Sequence, residues 1–133
     1  PNEGYLMISL AIRTASPTTH LVLLEDGEVL TELHWESGRG LAKDLLRKIV
    51  ALCDDASVSV ESVGAIICYE GPGSFTGLRI GITVGNTIAY ANGAPIVGTT
   101  GDSWVEQGLQ KILKGDNDTL VIPSYGADAH ITL

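Results

Sequence analysis

The groups best placed to do chemistry in this 133-residue chain lie in Gly71-Pro72-Gly73-Ser74-Phe75-Thr76-Gly77-Leu78-Arg79-Ile80-Gly81, a glycine-rich turn that runs straight into an apolar segment. Upstream, residues 63–69 carry no charge and are rich in β-branched side chains, the pattern of a buried parallel strand. Downstream, residues 77–92 read as a helix. A strand, a glycine turn and a helix N-terminus in that order aim backbone N–H groups at one point, which suits an anion or a partner's carboxylate. Gly71, Gly73, Ser74, Thr76, Gly77 and Arg79 are the candidate anion-binding set. Ser74 and Thr76 also offer hydroxyls to a hydrolase, although no His or Asp stands near them in sequence to act as base.

The general motifs for such a turn do not fit. No Gly-Lys-Ser/Thr closes it as in a nucleotide-binding P-loop. The glycines at 71, 73 and 77 are spaced one residue too long for a dinucleotide fingerprint. In Gly73-Ser74-Phe75-Thr76-Gly77 the centre is Phe75, where a nucleophile elbow needs Ser. His20, His34 and His130 fall on three different predicted strands, so a shared metal site would require the fold to bring them together, and neither a metal nor a cofactor is expected.

Composition narrows the classes. A chain of this length with 44% hydrophobic residues can bury a core as one domain. Sixteen acidic against eight basic residues give a net charge of -8, and no Lys/Arg cluster appears. Direct binding to nucleic acid is therefore not expected, because neutralised phosphates supply most of such affinity. Cys53 and Cys68 have no C-x-x-C and no neighbouring His, so buried reduced thiols in a cytoplasmic protein are expected. The start lacks the basic and long apolar runs of a signal peptide, and Met7 reads as the native start, with residues 1–6 ahead of it.

These residues must be held by a small sheet. Residues 6–11 and 20–24 read as strands, and Asp26-Gly27 as a two-residue hairpin turn. In the third strand, residues 29–35, Val29, Thr31, Leu33 and Trp35 share one face, with Leu30, Glu32 and His34 on the other. Residues 41–54 read as a helix whose apolar positions cover about half its circumference, more than one sheet face needs. A strand over 94–97, a third helix capped by Asp102 and ending at Leu113, and short strands over 119–122 and 129–133 complete the reading.

The second helix is the most telling element. From Ile80 to Gly101 no charge occurs, and Gly77, Gly81, Gly85 and Ala89 recur every four residues. Small residues at that spacing let helix backbones approach closely. A membrane span is disfavoured, because Asn86, Asn92, Gly93 and Pro95 interrupt the run and the helix is only ~24 Å long. A helix without a charged face is expected to be covered on nearly all sides, here by another protein. The candidate contact positions are Leu41 and Leu45 on the first helix and Gly77, Gly81, Ile82, Gly85, Asn86, Ala89 and Tyr90 on the second.

Taken whole, the segment from Gly71 to Gly81 resembles the signature of the bacterial TsaB (YeaZ) family, and the likeness extends over roughly residues 7–100. It implies an α/β fold, an actin-like ATPase (ribonuclease H-like, ASKHA) lobe with a mixed sheet, an antiparallel opening meander and packed helices. Residues 1–133 would form a single amino-terminal lobe, a short or trimmed member without a full second lobe. The resemblance also implies a non-catalytic partner of TsaD in making the threonylcarbamoyladenosine (t6A) of tRNA. Docking would use a helix pair as a heterodimer, other members of the t6A complex could join, and a homodimer is expected when the chain is alone.

Three departures from that family reduce chemical competence. Arg13 stands before Thr14 where actin-like folds commonly carry an Asp that manages Mg²⁺, and a cation there repels the metal. Leu41 stands at the start of the first helix, where related catalytic subunits carry metal-binding histidines. The residues after Val97 are too few to complete a cleft between two lobes. A non-catalytic docking subunit is the leading expectation. A phosphate or nucleotide binder using residues 71–77 with Arg79 or Arg13 comes second, and a hydrolase third.

Overall fold

The computed structural model describes residues 7–125. Asp26 and Gly27 have φ of 52° and 86°, the paired positive values of the hairpin turn that best matches strand twist. They join β2 (Thr18–Glu25) to β3 (Glu28–Glu36), and β1 (Ile8–Arg13) pairs antiparallel with β2 from Ile8 opposite Glu25 to Arg13 opposite His20. On the other side of β1 lies β4 (Val63–Tyr69), parallel to it, and then β5 (Ile96–Thr99), parallel to β4. The sheet order is β3-β2-β1-β4-β5. The expected mixed sheet with an antiparallel opening meander is present, shifted by two residues at β1 and β5.

Each parallel crossover is made by a helix. Chain leaving β3 forms a short 3-10 turn at Gly38–Gly40 and then α1 (Leu41–Asp55); α2 (Phe75–Asn92) joins β4 to β5, and α3 (Trp104–Leu113) follows β5. Alternation along the strands sends side chains to two faces. Ile12, Ile66 and Cys68 meet α2 at Gly85, whereas Ile67 meets α3 at Gly108. Leu10, Ile12, Leu21, Leu23 and Ile66 are buried at the centre, each contributing about 1.5–3 kcal/mol by leaving water. Ile66→Ala would open a void there and cost about 2–5 kcal/mol.

Three expectations are corrected. α2 begins at Phe75, two residues early, because Ser74 caps it: Gly77 N–H donates to Ser74 Oγ at 3.4 Å. Asp102 does not cap α3; Ser103 holds the cap position, without a side-chain bond. Residues 119–122 form no strand, since Asn86 takes the place of a strand neighbour. Its amide donates to Val121 O at 3.0 Å and its carbonyl accepts from Val121 N–H at 2.9 Å. The edge of β5 is closed the same way, with Ile96 N–H donating to Asn117 and Gly98 N–H to Asp118. The expected strand over 129–133 and His130 lie outside the described residues.

Candidate partner interface

The signature turn is pinned from both sides. Ser74 N–H donates to Ala15 O at 2.8 Å, Ser124 N–H donates to Glu70 O at 2.7 Å, and the Tyr69 hydroxyl reaches Pro72 O at 3.1 Å. Gly71 has φ of +131°, a region L side chains rarely adopt, and a side chain there would strike Ser124 O. A Cβ on Gly73 would stand 2.8 Å from Ala15 O. The glycines thus let the turn lie against the β1–β2 connection.

Two donors that an anion would need are already engaged, those of Ser74 and Gly77. The proposed cations lie elsewhere. Arg79 sits over the Phe75 ring at 5.2 Å, and Arg13 sits over Tyr69 at 4.0 Å with Nη1 3.5 Å from Gly101 O. Among the described residues, neither Ser74 nor Thr76 has a His, Asp or Glu hydrogen-bond partner. The anion set therefore does not converge as the sequence suggested.

The glycine stripe of α2 faces inward, which corrects the expected contact surface. A Cβ on Gly77 would meet Thr14 O, one on Gly81 the Thr14 side chain, and one on Gly85 the Cys68 Sγ. Ile82 and Ala89, with Leu41 and Leu45 from α1, are buried in the chain's own core. Asn86 is committed to Val121. Of the nominated positions Tyr90 alone lies fully outside, 91% exposed. Small residues at every fourth position serve the approach of α2 to its sheet, not to a partner.

The outer side of the two helices carries exposed apolar side chains. α1's wide apolar stripe divides: Leu41, Leu45, Ile49, Leu52 and Cys53 face the core, while Leu46 is 54% exposed and Val50 also faces out. Beyond Arg79, α2 carries no charge because Thr83, Thr87 and Tyr90 occupy its outward side, not because it is covered all round. Between the helices runs an open groove of about 470 Å³ lined by Ala42, Thr76, Arg79, Ile80, Thr83 and Val84. The excess width of the α1 stripe was the sequence signal for Leu46 and Val50. For α2, only the inward placement of its glycines reveals which side remains.

Buried titratable groups fit a packing role for this region. Burial beneath α2 pushes the Cys68 thiol up to about 12, and burial also raises Cys53. Burial raises Glu70, against the pull of Lys111. On the far face of the sheet, His20 and His34 do meet, despite their separate strands, and a hydrogen bond from His20 holds Glu32 below the ordinary range. No described helix is long and apolar enough to cross a membrane.

A mixed five-stranded sheet opening in a meander, with its crossover helices paired on one face, defines an actin-like lobe. Comparison agrees: the family model for TsaD, tRNA N6-adenosine threonylcarbamoyltransferase, matches residues 36–101. The tRNA threonylcarbamoyladenosine biosynthesis protein TsaB of Bacillus subtilis is 30% identical over 90 residues, 68% of this chain and 39% of that protein. TsaB of Escherichia coli is 29% identical over 111 residues, 78% and 47% of the two chains. YeaZ from Pseudomonas aeruginosa superposes with a TM-score of 0.65 at 33% identity over 71% of this chain and 44% of its own. A second structure, described as an uncharacterized protein with similarity to peptidase YeaZ from Pseudomonas aeruginosa, gives 0.66 at 33% identity, covering 71% of this chain and 43% of its own.

Over the part it shares with these proteins, the chain belongs to the TsaB (YeaZ) family. The shared part spans less than half the length of those relatives.

Proposed function

We propose that this lobe is a non-catalytic docking subunit that pairs with a TsaD-like protein through the outer face of α1 and α2. The observation that carries this is the exposed, mostly apolar groove between those helices, lined by Ala42, Ile80 and Val84 with Thr76, Thr83 and Arg79, together with the exposed Leu46 and Val50 on the outer side of α1. The groove lies inside the segment that matches the TsaD family model, so the two proteins would present the same helix pair to each other, the arrangement of an isologous contact. Apolar surface bordered by Arg79 at the groove and by Lys43 and Arg47 beside Leu46 and Val50 suits a protein partner.

Two features weigh against a catalytic role. Ser74 and Thr76 lack a base among the described residues, and Arg13 occupies the place of a metal-managing carboxylate. With net charge -8, tRNA would be held by other subunits of a cytoplasmic complex. Titration calorimetry of the full chain against the TsaD-like protein of the same organism tests the reading. Saturable binding at one to one, weakened at least ~10-fold by Thr83→Arg, is expected, since a charge forced into a packed apolar contact costs upward of ~1.4 kcal/mol. Absence of binding by the wild-type chain would overturn it.

A further inference from the structure

The sheet face opposite the helix pair carries a cluster that the docking role does not use. The β2–β3 register sets His20 directly across from His34, and Glu32 lies two residues before His34 on the same face. Both imidazoles turn Nε2 toward one carboxylate oxygen: His20 is 2.9 Å and His34 3.6 Å from Glu32 Oε1. The three donor atoms all lie within 4.8 Å of one another. A tetrahedral zinc site with bonds of ~2.0–2.2 Å separates its donors by roughly 3.3–3.5 Å, which the two measured contacts bracket.

The mounting is firm on one side and open on the other. The edge of Trp104 from α3 braces His20 at 5.7 Å, while the His34 ring stacks on His20 at 3.8 Å with 22° between their planes, so the more exposed His34 must turn out of the stack for both in-plane lone pairs to meet one ion. Side-chain exposure rises from 23% at His20 to 48% at Glu32 and 57% at His34, so the open quadrant faces solvent and would admit water as a further ligand. Arg13, the β1 neighbour of His20, has its guanidinium over the Tyr69 ring and near Gly101 O. Two imidazoles and a carboxylate are the donor set of zinc and the late first-row metals; magnesium and calcium favour all-oxygen sites.

We propose that His20, Glu32 and His34 form a binding site for one divalent transition metal of the zinc class, which would clamp the edge strand β3 to β2. The site lies on the sheet face opposite α1, whose first residue, Leu41, stands where the catalytic relatives place their metal-binding histidines, and does not depend on the docking proposal. The test is a titration of the tag-free full chain with Co²⁺, followed by its visible absorption and then by displacement with Zn²⁺. A signal that saturates at one equivalent, is displaced by Zn²⁺, and weakens at least ~10-fold in both His34→Ala and Glu32→Gln is expected. His34 and Glu32 are exposed enough that both variants should keep the wild-type circular dichroism. No saturable signal, or saturable binding unchanged in either variant, would overturn the proposal.

Discussion

The two faces of the sheet are built by the same alternation of strand residues, yet they finish differently. On one face, α2 lies so close that Gly77, Gly81 and Gly85 touch Thr14 and Cys68, and the far side of the helix pair ends in a mostly apolar groove whose one charged lining residue is Arg79. On the other, the ten-residue α3 covers β4 and β5 and reaches His20 through Trp104, leaving Glu32 and His34 open to solvent at the β3 edge. Close packing beneath an exposed, mostly apolar surface edged by Arg79, Lys43 and Arg47 suits protein contact. An uncovered polar cluster suits a small ion.

The largest break in this comparison comes from filling the close approach. Gly81→Val pushes two methyl groups into Thr14 and should destabilise the chain by ~3 kcal/mol, at the upper end of overpacking costs, lowering the urea midpoint. Gly108→Ala on the α3 face should cost less, ~1 kcal/mol, because it adds one methyl against the Ile67 side chain, whose nearest atom would lie 2.5 Å away and can turn aside, whereas Thr14 Oγ1 is held by its hydrogen bond to Gly77 O at 2.7 Å. Equal losses at the two sites would mean that the helices sit equally close.

Surface changes should separate folding from association. Leu46→Arg and Thr83→Arg should each leave stability within ~0.5 kcal/mol, as expected for exposed positions, while weakening docking at least ~10-fold. A lowered urea midpoint in Thr83→Arg would mean that this side of α2 is covered within the chain.

Thiol chemistry reports on the packed face without mutation. With Cys68 raised to about 12 and Cys53 also raised and buried, Ellman's reagent at pH 8 should label neither thiol in the native chain and both after unfolding. Rapid native labelling of Cys68 would show α2 lifting from the sheet.

The smallest expected effect is at Glu70. Its carboxyl is raised in the fold, so the native state holds its proton to higher pH than the unfolded chain does. Stability from this group is full below the unfolded value of ~4.3 and declines as pH rises to the folded value. Glu70→Gln should remove that decline from a pH series of urea midpoints. A wild-type slope of opposite sign in that window, absent from Glu70→Gln, would contradict the assignment.

What sequence reveals here depends on the range of the interaction. The Asp26-Gly27 turn, the strand at Val63–Tyr69 and the α1 stripe rest on neighbours within a few residues, and the fold shows them where the pattern put them. The direction of the glycine stripe is not local. Periodicity shows that Gly77, Gly81 and Gly85 share a side of α2, but only the sheet beneath says which body they approach. The pairing of His20 with His34 depends on hairpin register, and the hold of Asn86 on Val121 joins residues 35 apart. Residues on different elements were legible one by one, and their convergence was not.

The most direct measurement is sedimentation velocity of the full chain mixed with the TsaD-like protein of its organism, comparing wild type with Thr83→Arg and with Tyr69→Phe on the far face. A heterodimer formed by wild type and Tyr69→Phe but lost in Thr83→Arg is the predicted result. A heterodimer that survives Thr83→Arg and Leu46→Arg together would contradict the claim that the outer face of α1 and α2 is where this protein docks.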